Sequence, residues 1–154
     1  MIKSLFSLIL ITVLSFPSFA QYEEEAIKEV ILEAYVNGVY NEGVLRNIKL
    51  GFSEKFQAFE IDKDGNMSVQ NLEQWKAEVE KRIKDGKYPV SATEKVSLRY
   101  HNVDIFRNMA HVKITFLIGN QTYAREVLTL YKSPKGWLIL TKTFQKQTSS
   151  KSKD

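Results

Sequence analysis

Asn108-Met109-Ala110-His111-Val112-Lys113-Ile114-Thr115-Phe116-Leu117-Ile118-Gly119-Asn120 (residues 108–120) decides the fold. Ala110, Val112, Ile114, Phe116 and Ile118 alternate with His111, Lys113, Thr115 and Leu117, the period of two that gives a strand one apolar face. Gly119-Asn120 then turns the chain into a second strand, Gln121 to Tyr131, and Pro134-Lys135-Gly136 into a third, Trp137 to Phe144. Val96 to Phe106, upstream, supplies a fourth. Short turns between long strands predict an antiparallel meander.

The first half of the chain reads differently. Glu23, Glu24 and Glu25 place negative charge where a helix begins, and Ile27, Val30, Ile31, Ala34, Tyr35 and Gly38 recur at helical spacing, so a helix is expected over 22–40. Asn41-Glu42-Gly43 breaks it, Val44 to Leu50 forms a second short helix closed by Gly51, and Phe52 enters the core. Phe56 to Ile61 is rich in strand formers, and Asp62-Lys63-Asp64-Gly65-Asn66 is turn chemistry leading to a brief strand near Met67. Ser68 or Asn71 caps a third helix, with Val69, Leu72, Trp75, Val79 and Ile83 on one face and the pairs Glu78/Arg82 and Glu80/Lys84 on the other; Gly86 and Pro89 end it. The order ααββαββββ is an α+β class.

At 154 residues, 44% hydrophobic and 26% charged, the chain suits one globular domain and excludes collagen-like or wholly disordered classes. With no cysteine, disulfides, thiolate metal sites and cysteine nucleophiles are ruled out. Lys3, the apolar run Leu5 to Phe16 and the small-x-small ending Ser18-Phe19-Ala20 are the three parts of a secretory signal, so residues 1–20 are read as a leader cleaved after Ala20 and the protein as exported, periplasmic or secreted. Pro17 and the shortness of the run argue against a membrane anchor. Residues 21–145 form the domain and 146–154 a disordered basic tail. Lys3 is the one charge in the leader, and Lys146, Lys151, Lys153 and Asp154 lie in the tail, so the formal +4 falls to +3 after cleavage and to +1 on residues 21–144. No basic stripe interleaved with aromatics is visible on the body, so neither a nucleic-acid partner nor, after cleavage, a membrane is expected.

Tyr35-Val36-Asn37-Gly38-Val39-Tyr40, Asn108-Met109-Ala110-His111-Val112, and Leu128-Thr129-Leu130-Tyr131-Lys132 running into Gly136-Trp137, together with the order of elements, resemble the nuclear-transport-factor-2-like superfamily. Within it the chain is similar to the putative lumazine-binding, SnoaL-like group of small exported bacterial proteins. The resemblance implies a curved antiparallel sheet wrapped around three helices into a cone, open at one end over a pocket. It also implies a small heteroaromatic ligand. Members include isomerases, dehydratases, binders and silent interaction modules, so the fold does not choose a function.

Ala124, Leu128 and Leu130 share a strand face with Glu126, and one carboxylate interrupts the apolar row. A charge so placed must be paired, hydrated or neutralised. It is either a general base for proton abstraction beside a carbonyl, or half of an ion pair with Arg99, Lys142 or a neighbouring strand, or swung to solvent by a bulge. Tyr35, Trp75 and Tyr100 fall on inner phases and either line the cone, where they stack on a flat ligand, or are plain core; Tyr100 is also the one candidate donor for a developing oxyanion. Tyr123, Val127, Thr129 and Tyr131 make the opposite face apolar enough for a homodimer seam. Asp62 and Asp64 beside Gly65 lack the twelfth-position Glu of a calcium loop, His101 and His111 have no partner at metal-ligand spacing, and neither a Gly-x-Ser-x-Gly turn nor a Gly-rich phosphate loop occurs, so no metal or cofactor is expected. The expected function is an exported small-molecule-binding module using Tyr35, Trp75, Tyr100 and Glu126. The alternatives are an isomerase or dehydratase with Glu126 as base, and a catalytically silent dimerisation domain.

Overall fold

The computed structural model describes residues 19–147. Residues 1–18 of the expected leader and 148–154 of the expected tail lie outside them. Helix α1 (Phe19–Val30) runs without a break into a π-helix (Ile31–Asn41), and α2 (Leu45–Gly51) folds back on it. Strands β1 (Phe52–Ile61) and β2 (Met67–Asn71) form a hairpin, α3 (Leu72–Lys84) follows, and β3 (Val96–Phe106), β4 (Met109–Ile118), β5 (Gln121–Ser133) and β6 (Gly136–Lys146) complete one six-stranded sheet in the order β2-β1-β6-β5-β4-β3. Lys146, assigned to the tail on sequence, is the last residue of β6 and pairs with Glu60 at 2.7 Å.

The inner phase of β4 carries Ala110, Val112, Ile114 and Phe116, all nearly solvent-free, against Ile27, Ile31, Ala34 and Tyr35 of the first helix. Each large apolar side chain so buried contributes about 1.5–3 kcal/mol. Breaks of register at Tyr100/Asn102, Phe116/Leu117, Thr129/Leu130 and Phe52/Gln57 bend the strands around this core, as bulges do.

Three expectations change. The sheet is not wholly antiparallel: β1 runs parallel to β6, with Gln57 opposite Thr141 and Glu60 opposite Phe144. A parallel pair needs a long connection, and everything from β2 to β5 supplies it, while the pairing removes one open edge from the meander and one from the hairpin. The first helix is longer than 22–40 and changes its winding after Val30. The apolar face of α3 is shorter than its pattern, because Val69 is in β2 and exposed and Ile83 is exposed on the last turn. Glu78 and Arg82 are engaged elsewhere, Glu78 with Gln70 and Arg82 over the Tyr88 ring.

Asn71 caps α3, accepting from the Gln74 backbone N–H at 3.0 Å while the Gln74 side chain accepts from the Asn71 N–H at 2.9 Å. This reciprocal box satisfies two otherwise orphaned donors, so Asn71→Ala is expected to cost about 1 kcal/mol in urea denaturation.

Glu23 ties α1 to β5 and β6, accepting from Lys132 and, at 2.8 Å, from Trp137 Nε1. The hydrogen bonds from Lys132 and then Trp137 hold its pKa below the usual carboxylate value. A depressed carboxylate stabilises the fold above its unfolded pKa, and that contribution is lost as pH falls through the folded one. Glu23→Gln is therefore expected to destabilise at neutral pH and to differ progressively less from the parent below about pH 4.5, read from denaturation midpoints.

Candidate functional site

The site is built where two irregularities meet. In an α-helix residues five apart diverge by about 140° around the axis. The π-helical winding of Ile31–Asn41 instead brings Tyr35 and Tyr40 together, their rings edge to face at 5.2 Å. On β6 the buried phase begins as Trp137 and Ile139; the register break opposite Thr129/Leu130 then shifts it, so that Lys142 and not Thr141 turns inward.

Glu126 on β5 meets both devices. Its Oε1 lies 3.0 Å from Lys142 Nζ, and its Oε2 accepts from the Tyr35 hydroxyl at 2.7 Å. Lys142 Nζ also donates to the Tyr40 hydroxyl at 3.5 Å. Glu126 is 3% exposed and Lys142 2%, so this is an ion pair removed from water. Five rings surround the ammonium with centroids within cation–π range: Phe144 at 4.0 Å, Tyr35 at 5.0 Å, Trp75 at 5.2 Å, Phe116 at 5.7 Å and Tyr40 at 5.9 Å. Trp75 stacks on Tyr35 with centroids 6.0 Å apart and is fixed by its Nε1 donating to Gln70 at 2.9 Å.

Burial works against the Lys142 charge, but Tyr40 and Glu126 together outweigh it, and the pKa is held above the ordinary lysine value. Burial, and next the Glu126 carboxylate, push Tyr35 well above the usual phenol range, so it stays a donor. Among the described residues no buried side-chain polar atom lacks a partner.

Above this pair opens a cavity of about 410 Å³, within the size range of small-molecule sites. Tyr40, Trp75, Phe116, Tyr123 and Phe144 make its walls, Lys142 and Glu126 its floor, and Arg82 with the Lys146–Glu60 pair its rim. Both Glu126 oxygens are engaged, which leaves it poorly placed as a free base. Lys142 has three N–H donors and spends them on two partners, leaving one for the cavity.

The structure thus brings Tyr35, Trp75 and Glu126 together, with Tyr35 beneath the cavity rather than on its wall. Tyr100 is a correction. It faces inward, but on the opposite edge strand, where its ring lies 5.8 Å from Lys28 Nζ and burial pushes its pKa up to about 12. Strand phase reports the face of a residue, not which end of the sheet it occupies. Tyr123 is a second correction, since the bulge opposite Phe116/Leu117 carries it off the outer face to the cavity mouth, 5.9 Å from the Phe116 ring. Val127 remains exposed on the outer face, with Thr129 and Tyr131 half-buried. Lys142 and Tyr40 complete the site; their sequence signals were hidden by the bulge and the wide helix. No three His, Asp or Glu among the described residues are placed to hold a metal ion.

A curved sheet closing on helices over an aromatic cavity defines the cystatin-like, nuclear-transport-factor-2-like class. The matching solved structures include a nuclear-transport-factor-2-like protein of unknown function from Shewanella baltica OS155 (20% identity, 86% of this chain and 98% of that one, TM-score 0.64). Another is from Silicibacter pomeroyi DSS-3 (15%, 82% and 98%, 0.62), and a domain of unknown function with a cystatin-like fold from Nostoc punctiforme PCC 73102 also matches (15%, 84% and 80%, 0.52). No curated protein matches the chain. Residues 22–145 match the family described as "Putative lumazine-binding", and the chain belongs to that family.

Proposed function

We propose that the cavity binds a small planar heteroaromatic molecule bearing a carbonyl or deprotonated ring atom, which accepts the remaining Lys142 N–H while its faces lie against Trp75, Tyr40 and Phe144. One observation carries this reading: a charged lysine with a donor to spare sits at the floor of an otherwise aromatic cavity. A donor in so dry a place is worth more than in water. The family's description points the same way, toward a pteridine-like ligand. Because Glu126 is already paired, the reading is one of binding rather than catalysis. The leader-like N-terminal sequence supports export as the setting.

The test is a thermal-shift and calorimetric titration with lumazine and alloxazine. Saturation at a hundred times Kd is expected to add about 2.7 kcal/mol of stability, with quenching of Trp75 fluorescence. An aromatic quaternary ammonium of equal size is expected not to bind, since the cage already holds a cation. Absence of any shift with both planar ligands near their solubility limits would remove the proposal.

A further inference from the structure

We infer that the outer face of the sheet holds a second site, separate from the cavity, that takes a phosphate-bearing molecule and is centred on Thr115. Thr115 lies on the outward phase of β4 yet is 5% exposed. Arg99 of β3 and Arg125 of β5 stand directly opposite it on either side. His101, at the β3 bulge, shares a 2.7 Å hydrogen bond with its hydroxyl, and Lys113 precedes it by two residues on the same strand face. Four basic residues from three adjacent strands therefore surround Thr115, and one of them, His101, touches its hydroxyl.

Among the described residues no acid is paired with them. Strands β3 to β6 contain two acids: Glu126 faces the core, and Asp104 stands opposite His111, about 17 Å along β3 from Arg99. The flanking arginines are about 10 Å apart across the sheet, an arrangement that repels unless an anion bridges it. A carboxylate supplies one negative charge against three permanent cations, whereas a phosphate monoester supplies nearly two and matches the arginine fork. Beside the cluster, His101, Lys113 and Arg125 line one end of an outer groove of about 640 Å³, and Val127, Thr143 and Ile61 continue it, which leaves room for the organic part of the ligand. The cations form one focus rather than a track, which suits a single phosphate better than a nucleic-acid backbone. A second copy of this chain fits badly, because a two-fold contact would set the same cations against themselves.

The full chain, in phosphate-free buffer at low ionic strength, is titrated with inorganic phosphate and with glycerol 3-phosphate, against chloride at matched ionic strength. Both phosphates are expected to raise Tm beyond the chloride control, and Lys113→Gln/Arg125→Gln to bind about tenfold more weakly, while Lys81→Gln/Lys84→Gln on α3 leaves binding unchanged. Vesicles of one part phosphatidylglycerol to three parts phosphatidylcholine separate the sources. Binding competed by glycerol 3-phosphate and lost in the Lys113/Arg125 variant makes the ligand a lipid headgroup; no vesicle binding makes it a soluble phosphate ester. A chloride response equal to phosphate, a Lys113/Arg125 variant that binds as tightly as the parent, tighter binding to a DNA strand through these residues, or a phosphate-free dimer that buries Thr115 overturns the inference.

Discussion

Lys142→Met is expected to destabilise the protein by about 3–5 kcal/mol, because it leaves the Glu126 carboxylate buried with only the Tyr35 hydroxyl as partner. Against a typical stability of about 5–15 kcal/mol, a loss of that size moves a urea midpoint far. The double variant Lys142→Met/Glu126→Gln is expected to regain much of it, since no charge then remains at this site and methionine fills the ring cage with similar volume. Recovery in the double variant distinguishes an uncompensated charge from simple loss of packing; equal losses in the single and double variants would contradict the assignment. The pH dependence has a definite sign. A lysine whose folded pKa is raised stabilises fully below its unfolded value, about 10.5, and loses that contribution as pH rises through the folded value. The parent is therefore expected to weaken in alkali more steeply than the double variant.

Gly51→Ala is expected to cost about 3 kcal/mol, a large penalty for one methyl group. A Cβ at Gly51 would stand 2.3 Å from the Ala34 Cβ, far inside contact distance, while Val30 Cγ1 at 3.4 Å would be an ordinary neighbour. The bare backbone at Gly51 is what lets α2 lie against the π-helix, and that contact sets where β1 begins, one residue later. Restoring space from the other side should relieve the clash. Gly51→Ala/Ala34→Gly is expected to recover most of the loss, short of the roughly 0.5–1 kcal/mol that glycine costs inside a helix. Thermal unfolding of the three variants reads this directly, and no rescue by Ala34→Gly would mean that the penalty arises elsewhere.

The meander was legible because Ala110 to Phe116 and their partners keep a strict two-residue period, and each turn carries its own chemistry. The cap of α3 was legible only as Ser68 or Asn71, since both are polar residues before the apolar face; Ser68 lies in β2 and Asn71 makes the cap. Glu126 stood out as one carboxylate in an apolar row, and Lys142 was among its candidate partners. Nothing in the sequence could select it, since an unbroken β6 continuing from Trp137 and Ile139 would turn Thr141 and Thr143 inward and leave Lys142 in water. Tyr40 was hidden in the same way, for no α-helical wheel sets it beside Tyr35. Tyr100 failed for a different reason: its face was right, but strand order is a long-range property, and β3 lies at the far edge from the cavity. The parallel β1–β6 pair was invisible because local turns specify only neighbours in the chain.

That pairing governs when the molecule can finish folding. Residues 57 and 141 meet although about two thirds of the domain separates them along the chain, so the contact carries a heavy loop-closure penalty and should form late. During synthesis the hairpin and α3 emerge long before the strand that seats them, and until β6 arrives Glu126 has no counter-ion. A nascent chain stalled before residue 136 should therefore remain loosely collapsed and open to protease, and should lock only when its final strand slides between two already waiting edges.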